Sequence, residues 1–211
     1  MSSRPTVVIL DYGSGNLRSA QRALTRIGAD VTVSSDVQAA TDAQGLVIPG
    51  VGAFGSCMRG LQAVGAQQIV DRRLAGGRAV LGVCVGMQVL FAQGQEGSLV
   101  AGLDQWPGTV RRLQAKVLPH MGWNQVRSDP QSDLFRGLAG ERFYFVHSYA
   151  VTQWQMEVQP PRPPVRLAWS WHGEEFLAAV ENGPLTATQF HPEKSGDAGL
   201  GLLRNWLDTL T

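Results

Sequence analysis

Cys84 stands in Gly82-Val83-Cys84-Val85-Gly86, directly after an apolar run and directly before a helical pattern. A strand that turns sharply into a helix at a nucleophile-type residue has the layout of a nucleophile elbow, here GxCxG in place of GxSxG. The flanking glycines leave room for the strained backbone of such a turn. A helix N-terminus beneath the thiol favours thiolate and presents the Val85 N–H to a developing oxyanion. A buried structural cysteine is the plain alternative. A thiol nucleophile needs a base, and the base needs an orienting group. Of His120, His147, His172 and His191, only the last stands in a His-Pro-Glu-Lys run, His191 to Lys194. Side chains at i and i+2 of an extended segment share a face, and Pro192 biases His191 toward extended geometry. Glu193 is therefore expected on one ring nitrogen of His191 while the other faces a thiol. A chance pair on a solvated turn is the competing reading. Jointly the two segments point to a triad Cys84–His191–Glu193.

A third segment, Pro49-Gly50-Val51-Gly52-Ala53-Phe54-Gly55, follows another apolar run. It lacks the Lys-Ser/Thr of a phosphate-binding loop. It is either a plain Gly-rich turn or, beside the elbow, the second arm of an oxyanion hole built from the Val51 and Gly52 N–H groups. Gly13-Ser14-Gly15 invites a dinucleotide reading, but Arg18 occupies the third glycine position, and Asp36 is only at about the right distance for a ribose acid. Cys57 has no base partner in sequence and reads as structural. No histidine pair or second thiol has metal-ligand spacing, so no metal and no cofactor are expected.

These segments need a scaffold. The chain has 211 residues, 44% of them hydrophobic, enough for one domain with a real core. Its net charge of +1 argues against a nucleic-acid binder and against an acidic tail. No apolar run reaches the roughly 18 residues of a membrane span, and no signal peptide is read in MSSRPTVVILDYGSG. Two cysteines without CxxC spacing fit a reducing compartment, the cytoplasm. Thr6–Leu10, Val31–Ser35, Gly45–Ile48 and Ala79–Val83 read as strands. Between them lie a helix from Leu17 to Ile27 with Asn16 at its N-cap, and a helical stretch from Ser56 to Leu74 interrupted near Gly65. Val85–Ala92 reads as a helix. The second half reads mostly as antiparallel strands, at Thr109–Leu113, Gly122–Arg127, Arg142–Ala150, Val165–Trp171, Glu175–Val180 and Leu185–Phe190, before a last helix at Leu200–Leu210. Pro160–Pro164 reads as a loop between strands. The expected fold is α/β: one domain over 1–211 with a mixed sheet, a flavodoxin-like parallel core flanked by helices and an antiparallel extension. In such folds ligands sit beyond the C-terminal ends of the parallel strands.

GVCVGMQ around Cys84, PGVGAFG at 49–55 and HPEKS at 191–195 resemble the class I glutamine amidotransferases. DYGSGNLRS at 11–19, LPHMGWN at 118–124 and FVHSY at 145–149 narrow the resemblance to the glutaminase subunits of imidazole glycerol phosphate synthase. Val85 departs from the leucine more usual there, and Glu96 lies in a segment that the family varies. The resemblance implies that Cys84 attacks the side-chain amide of glutamine, that His191 and Glu193 manage the protons, and that a thioester is then hydrolysed. It implies that Gly52, Gln88, Glu96, Ser148 and Tyr149 hold glutamine. It implies a heterodimer with a (β/α)8-barrel cyclase that receives the ammonia, with Ser14, Asn16, Arg18, Met121, Gly122, Trp123, Asn124 and Lys194 at or near the interface. For Trp123 and Met121 the alternative is a place in the core. Two readings from other classes stay open: a stand-alone thiol hydrolase, and a catalytically silent binding subunit.

Overall fold

Strands that are apolar on both faces fit a parallel sheet covered by helices above and below. The computed structural model, which describes residues 4–158 and 163–210, uses the apolar runs in that way. The first half runs β1 (Thr6–Leu10), α1 (Leu17–Arg26), β2 (Asp30–Ser34), α2 (Val37–Asp42), β3 (Gly45–Gly50), α3 (Phe54–Ala63), α4 (Ala66–Ala75), β4 (Ala79–Cys84) and α5 (Val85–Gln88). The second half runs β5 (Phe91–Glu96), β6 (Ser98–Ala101), β7 (Trp106–Arg112), β8 (His120–Gln125), β9 (Arg127–Ser128), β10 (Arg142–His147), β11 (Tyr149–Ala150), β12 (Arg166–His172), β13 (Glu174–Asn182), β14 (Leu185–Thr188), a 3-10 turn (Pro192–Lys194) and α6 (Gly196–Leu207).

The main sheet has the order β2-β1-β3-β4-β14-β13-β12-β9. Its first five strands are parallel and its last three antiparallel. β8 and β10 form a separate antiparallel ribbon, and β11-β7-β5-β6 a small sheet. The register aligns Gly50 of β3 with Cys84 of β4, and Thr188 of β14 with Val83. The loops after β1, β3, β4 and β14 therefore emerge together at the C-terminal ends of the parallel strands. No described helix is long and apolar enough to cross a membrane.

Several expectations are corrected. The segment Val85–Ala92 is not one helix. A single turn ends at Gln88 and β5 begins at Phe91. Buried Leu90 and Phe91 serve sheet and core as well as they would a helix face, so the apolar run did not discriminate. α2 was unforeseen; Asp36 is its N-cap, accepting from the Ala39 N–H at 2.7 Å, and so is no ribose acid. Arg142–Ala150 is not one strand: β10 and β11 belong to different sheets and Ser148 lies at the break. α6 starts at Gly196, four residues earlier than expected. The Pro160–Pro164 loop lies partly outside the described residues.

Candidate active site

The elbow forms where β4 meets α5. Cys84 has φ 58° and ψ −113°, a left-handed region that costs a non-glycine residue about 1–3 kcal/mol. The glycines are steric necessities: a Cβ on Gly82 would lie 2.6 Å from the Gly86 carbonyl, and one on Gly86 1.9 Å from the Ile48 carbonyl. Cys84 is not solvent-facing as a bare turn would have it; only 2% of it is exposed. α5 has four residues, so its macrodipole adds little beyond the Val85 N–H itself.

His191 is extended, at φ −98° and ψ 97°, as the following proline requires. Glu193 reaches it differently from the strand alternation expected. Pro192 opens a 3-10 turn, and the turn brings the carboxylate back to His191 Nδ1 at 2.8 Å. Ser195 locks the turn, donating to the His191 carbonyl at 2.7 Å and accepting from the Tyr144 N–H at 2.9 Å. The His191 N–H donates to the Tyr144 carbonyl. Both triad side chains are almost wholly buried. Burial works against a charge on His191, but Cys84 and Glu193 beside it override that and push its pKa up to about 9. Its Nε2 is buried and makes no hydrogen bond among the described residues. It is left for a reacting partner, and such contacts tighten when substrate arrives.

A cavity of about 180 Å³ gathers Val51, Gly52, Cys84, Val85, Gln88, Glu96, Val146, His147, Ser148, Tyr149, His191 and Lys194. It thus brings together Cys84, His191 and all five residues expected to hold glutamine, while Glu193 stands behind His191, outside the lining. The Gln88 amide donates to the Tyr149 carbonyl at 2.8 Å and to Gln189 Oε1 at 3.0 Å, so its Oε1 is what remains for a ligand. Glu96 Oε2 accepts from the Phe54 N–H at 2.8 Å.

The second arm is arranged less simply than expected. The Val51 N–H donates to Ser14 Oγ at 3.4 Å, and the Val51 carbonyl accepts from Ser14 Oγ at 2.8 Å and from Cys57 Sγ at 3.4 Å. The Val51 N–H is therefore engaged outside the cavity lining, a correction to its role as a ready oxyanion donor. In a planar trans peptide C=O and N–H point oppositely, so the Gly52 N–H points away from Ser14 and Cys57. Tyr12 holds the same segment, its hydroxyl donating to the Pro49 carbonyl.

Among the residues assigned to an interface, Met121 and Trp123 are 63% and 46% exposed, not core. Arg18 is exposed and Asn16 sits at the α1 N-cap position without a side-chain capping bond. Gly122, between Met121 and Trp123, has φ 133°. Asn124 donates to the Trp171 carbonyl at 2.9 Å. Lys194 lines the cavity itself. Trp171 and Val117 are also largely exposed, and sequence reasoning missed both. It also missed Gln189 and the buried pair His120 and His147, which lie 3.1 Å apart. Burial, reinforced by neighbouring imidazoles, holds their pKa values down to about 4 and about 3.

The family profile "Glutamine amidotransferase class-I" matches residues 8–209. The imidazole glycerol phosphate synthase subunit HisH of Thermobifida fusca is 60% identical over 211 residues, covering 98% of this chain and 100% of that protein. The HisH subunit of Mycolicibacterium paratuberculosis is 62% identical over 207 residues, covering 97% and 98%. Among solved structures, a glutamine amidotransferase superposes with a TM-score of 0.74 at 20% identity, over 97% of this chain and 98% of that one. PurLQS from Thermotoga maritima does so with 0.69 at 18%, over 99% and 100%. With the elbow, the imidazole–carboxylate pair and the sheet order in place, the chain belongs to the class-I glutamine amidotransferase family, alongside the HisH subunits of imidazole glycerol phosphate synthase.

Proposed function

We propose that this chain is the glutaminase subunit of imidazole glycerol phosphate synthase, acting in histidine biosynthesis in the cytoplasm. It hydrolyses glutamine to glutamate and ammonia. The ammonia passes to a (β/α)8-barrel cyclase, which forms imidazole glycerol phosphate and an aminoimidazole carboxamide ribonucleotide. The observation that carries the reading is one small cavity holding Cys84 at a strained elbow beside a His191 oriented by Glu193.

The Cys84 sulfur attacks the side-chain amide carbon of glutamine, and the carbonyl electrons move onto oxygen. The Val85 N–H and the Gly52 N–H stabilise that oxyanion. His191, protonated at neutral pH, gives its proton to the departing nitrogen, and ammonia leaves. Neutral His191 then takes a proton from water as the water attacks the thioester, and glutamate is released with the thiolate restored. Gln88, Glu96, Ser148 and Tyr149 hold glutamine; the acceptors Gln88 Oε1 and Glu96 suit its donor groups. The exposed Met121 and Trp123 on β8, with Ser14, Asn16, Arg18, Gly122, Asn124 and Lys194, meet the cyclase. Large apolar anchors flanked by polar residues are what such an interface uses.

The test is ammonia release from glutamine by the complex, with wild type and Cys84→Ala. Hydrolysis should vanish in Cys84→Ala, while synthesis from added ammonia persists and the melting temperature changes little. Wild-type glutaminase activity in the variant would remove Cys84 as nucleophile. Partner-independent cleavage of peptides or esters would point to a stand-alone hydrolase.

A further inference from the structure

Gln189 is 1% exposed, and its Nε2 lies 3.8 Å from Cys84 Sγ. A side-chain amide looks much the same with oxygen and nitrogen exchanged, so its polarity must come from its partners. Here the partners decide it. The Tyr149 carbonyl has no proton to give, yet it receives both Gln88 Nε2 at 2.8 Å and His147 Nδ1 at 3.0 Å. The nitrogen end of Gln88 therefore faces Tyr149. The second hydrogen on that nitrogen meets Gln189 Oε1 at 3.0 Å, which leaves the nitrogen end of Gln189 for Cys84. Exchanging the ends of Gln189 would set two NH2 groups against each other. Its backbone is also fixed, the Gln189 N–H donating to the Ala178 carbonyl at 2.8 Å.

We infer that Gln189 is a further catalytic residue, which donates its amide N–H to the Cys84 sulfur and holds the thiolate in place before and after each acyl transfer. A thiol sulfur is a weak acceptor and a thiolate a much better one, so the bond favours the reactive form selectively. Charged and titratable groups share the cavity with this sulfur, His191 and Lys194 around the 3-10 turn, Glu96 from β5 and His147 from β10, and Tyr12 from the loop after β1 acts on it electrostatically. Gln189 is neutral, so its contribution is a directed hydrogen bond, separable from those charges by substitution.

The inference rests on the glutaminase reading only in taking Cys84 as the nucleophile. The experiment is alkylation of the full chain by iodoacetamide as a function of pH, with Cys84 and Cys57 resolved by peptide mass spectrometry. In Gln189→Met, which keeps the bulk and loses the donor, the rise of Cys84 reactivity should move about one unit to higher pH. The rate below that rise should fall about tenfold, the size expected for a weak charge-assisted hydrogen bond. Gln189→Glu, with a carboxylate on the sulfur, should move it further. A folded Gln189→Met with the wild-type profile overturns the inference, as does a drop in rate that is uniform over pH. Should Gln189→Met fail to fold, Gln88→Leu frees the Gln189 amide from its anchor, and an unmoved profile there overturns the inference equally. Failure of the glutaminase reading looks different: wild-type Cys84 would resist the reagent and glutamine would not be turned over.

Discussion

His191 sets the working pH range. Its pKa is pushed up to about 9 by Cys84 and Glu193 against the cost of burial. Below that value it is an imidazolium that can protonate the leaving nitrogen. As pH rises through about 9 that proton is lost, so kcat/KM for glutamine should fall with an alkaline limb near pH 9. Glu193→Gln removes one of the two groups that raise His191. The limb should move to lower pH and the rate should fall, though less than in His191→Ala, because the acid orients the ring without carrying the proton. Steady-state pH profiles of the complex decide this; an unmoved limb in Glu193→Gln would detach the carboxylate from the triad. The triad was legible because its members are short-range signals: glycines two residues from a cysteine, and a glutamate two from a histidine. Gln189 was not, since its meaning comes from Gln88 and Tyr149, which are distant in the chain and meet only in the fold.

At the scale of elements, the parallel strands were legible because burial on both faces leaves an unbroken apolar run. The errors fell where one run serves two elements. Leu90 lies between a one-turn helix and β5, which Phe91 opens, and the stretch 142–150 crosses between sheets at Ser148. One stabilising device was invisible in sequence. Arg73 on α4 is fully buried and donates to five backbone carbonyls, those of Ala40, Thr41, Ala43, Gln44 and Ala79. It joins the end of α2 to the starts of β3 and β4, at the opposite end of those strands from Cys84. Burial lowers its pKa only to about 10, so it stays a cation at neutral pH. Arg73→Leu would strand those carbonyls, and should cost about 3–5 kcal/mol, several unsatisfied buried acceptors being at stake. Urea titration at neutral pH measures it. Glutaminase turnover at low temperature should survive, because the elbow is not touched. A loss under about 1 kcal/mol would mean that water replaces the guanidinium readily.

Across the whole molecule, four loops converge at the C-terminal ends of the parallel strands, and two of them are tied together. The loop after β1 holds the end of β3 through Tyr12 on the Pro49 carbonyl, and the residue that follows β3 through Ser14 on both the N–H and the carbonyl of Val51. That same loop carries Ser14 and Asn16 and leads into Arg18 in the first turn of α1, all three of which we assign to the cyclase interface. A partner that draws on this loop therefore acts directly on a strand of the oxyanion hole. Ser14 holds the Val51 carbonyl and so sets the direction of the Gly52 N–H across the same planar peptide, and one oxyanion donor out of place costs about 2.7–4 kcal/mol, roughly 10²–10³ in rate. The bias must come from contacts that the ligand-loaded partner makes better with one arrangement than with the other. The chain alone should thus be a poor glutaminase, and the complex with the cyclase ligand bound at least tenfold faster. Ser14→Ala, which frees the Val51–Gly52 peptide from the loop through which the partner acts, should shrink the activation. Gly52→Ala should lose much of the activation for a different reason. Gly52 has φ 88° with open space around it, so the methyl group meets no neighbour, and the loss comes from a backbone that can no longer adopt that conformation freely. The measurement is turnover at saturating glutamine for chain, complex and complex with ligand, in wild type and both variants. Equal rates across the three states in wild type would eliminate the switch and leave a constitutive glutaminase, with Ser14 merely bracing a loop.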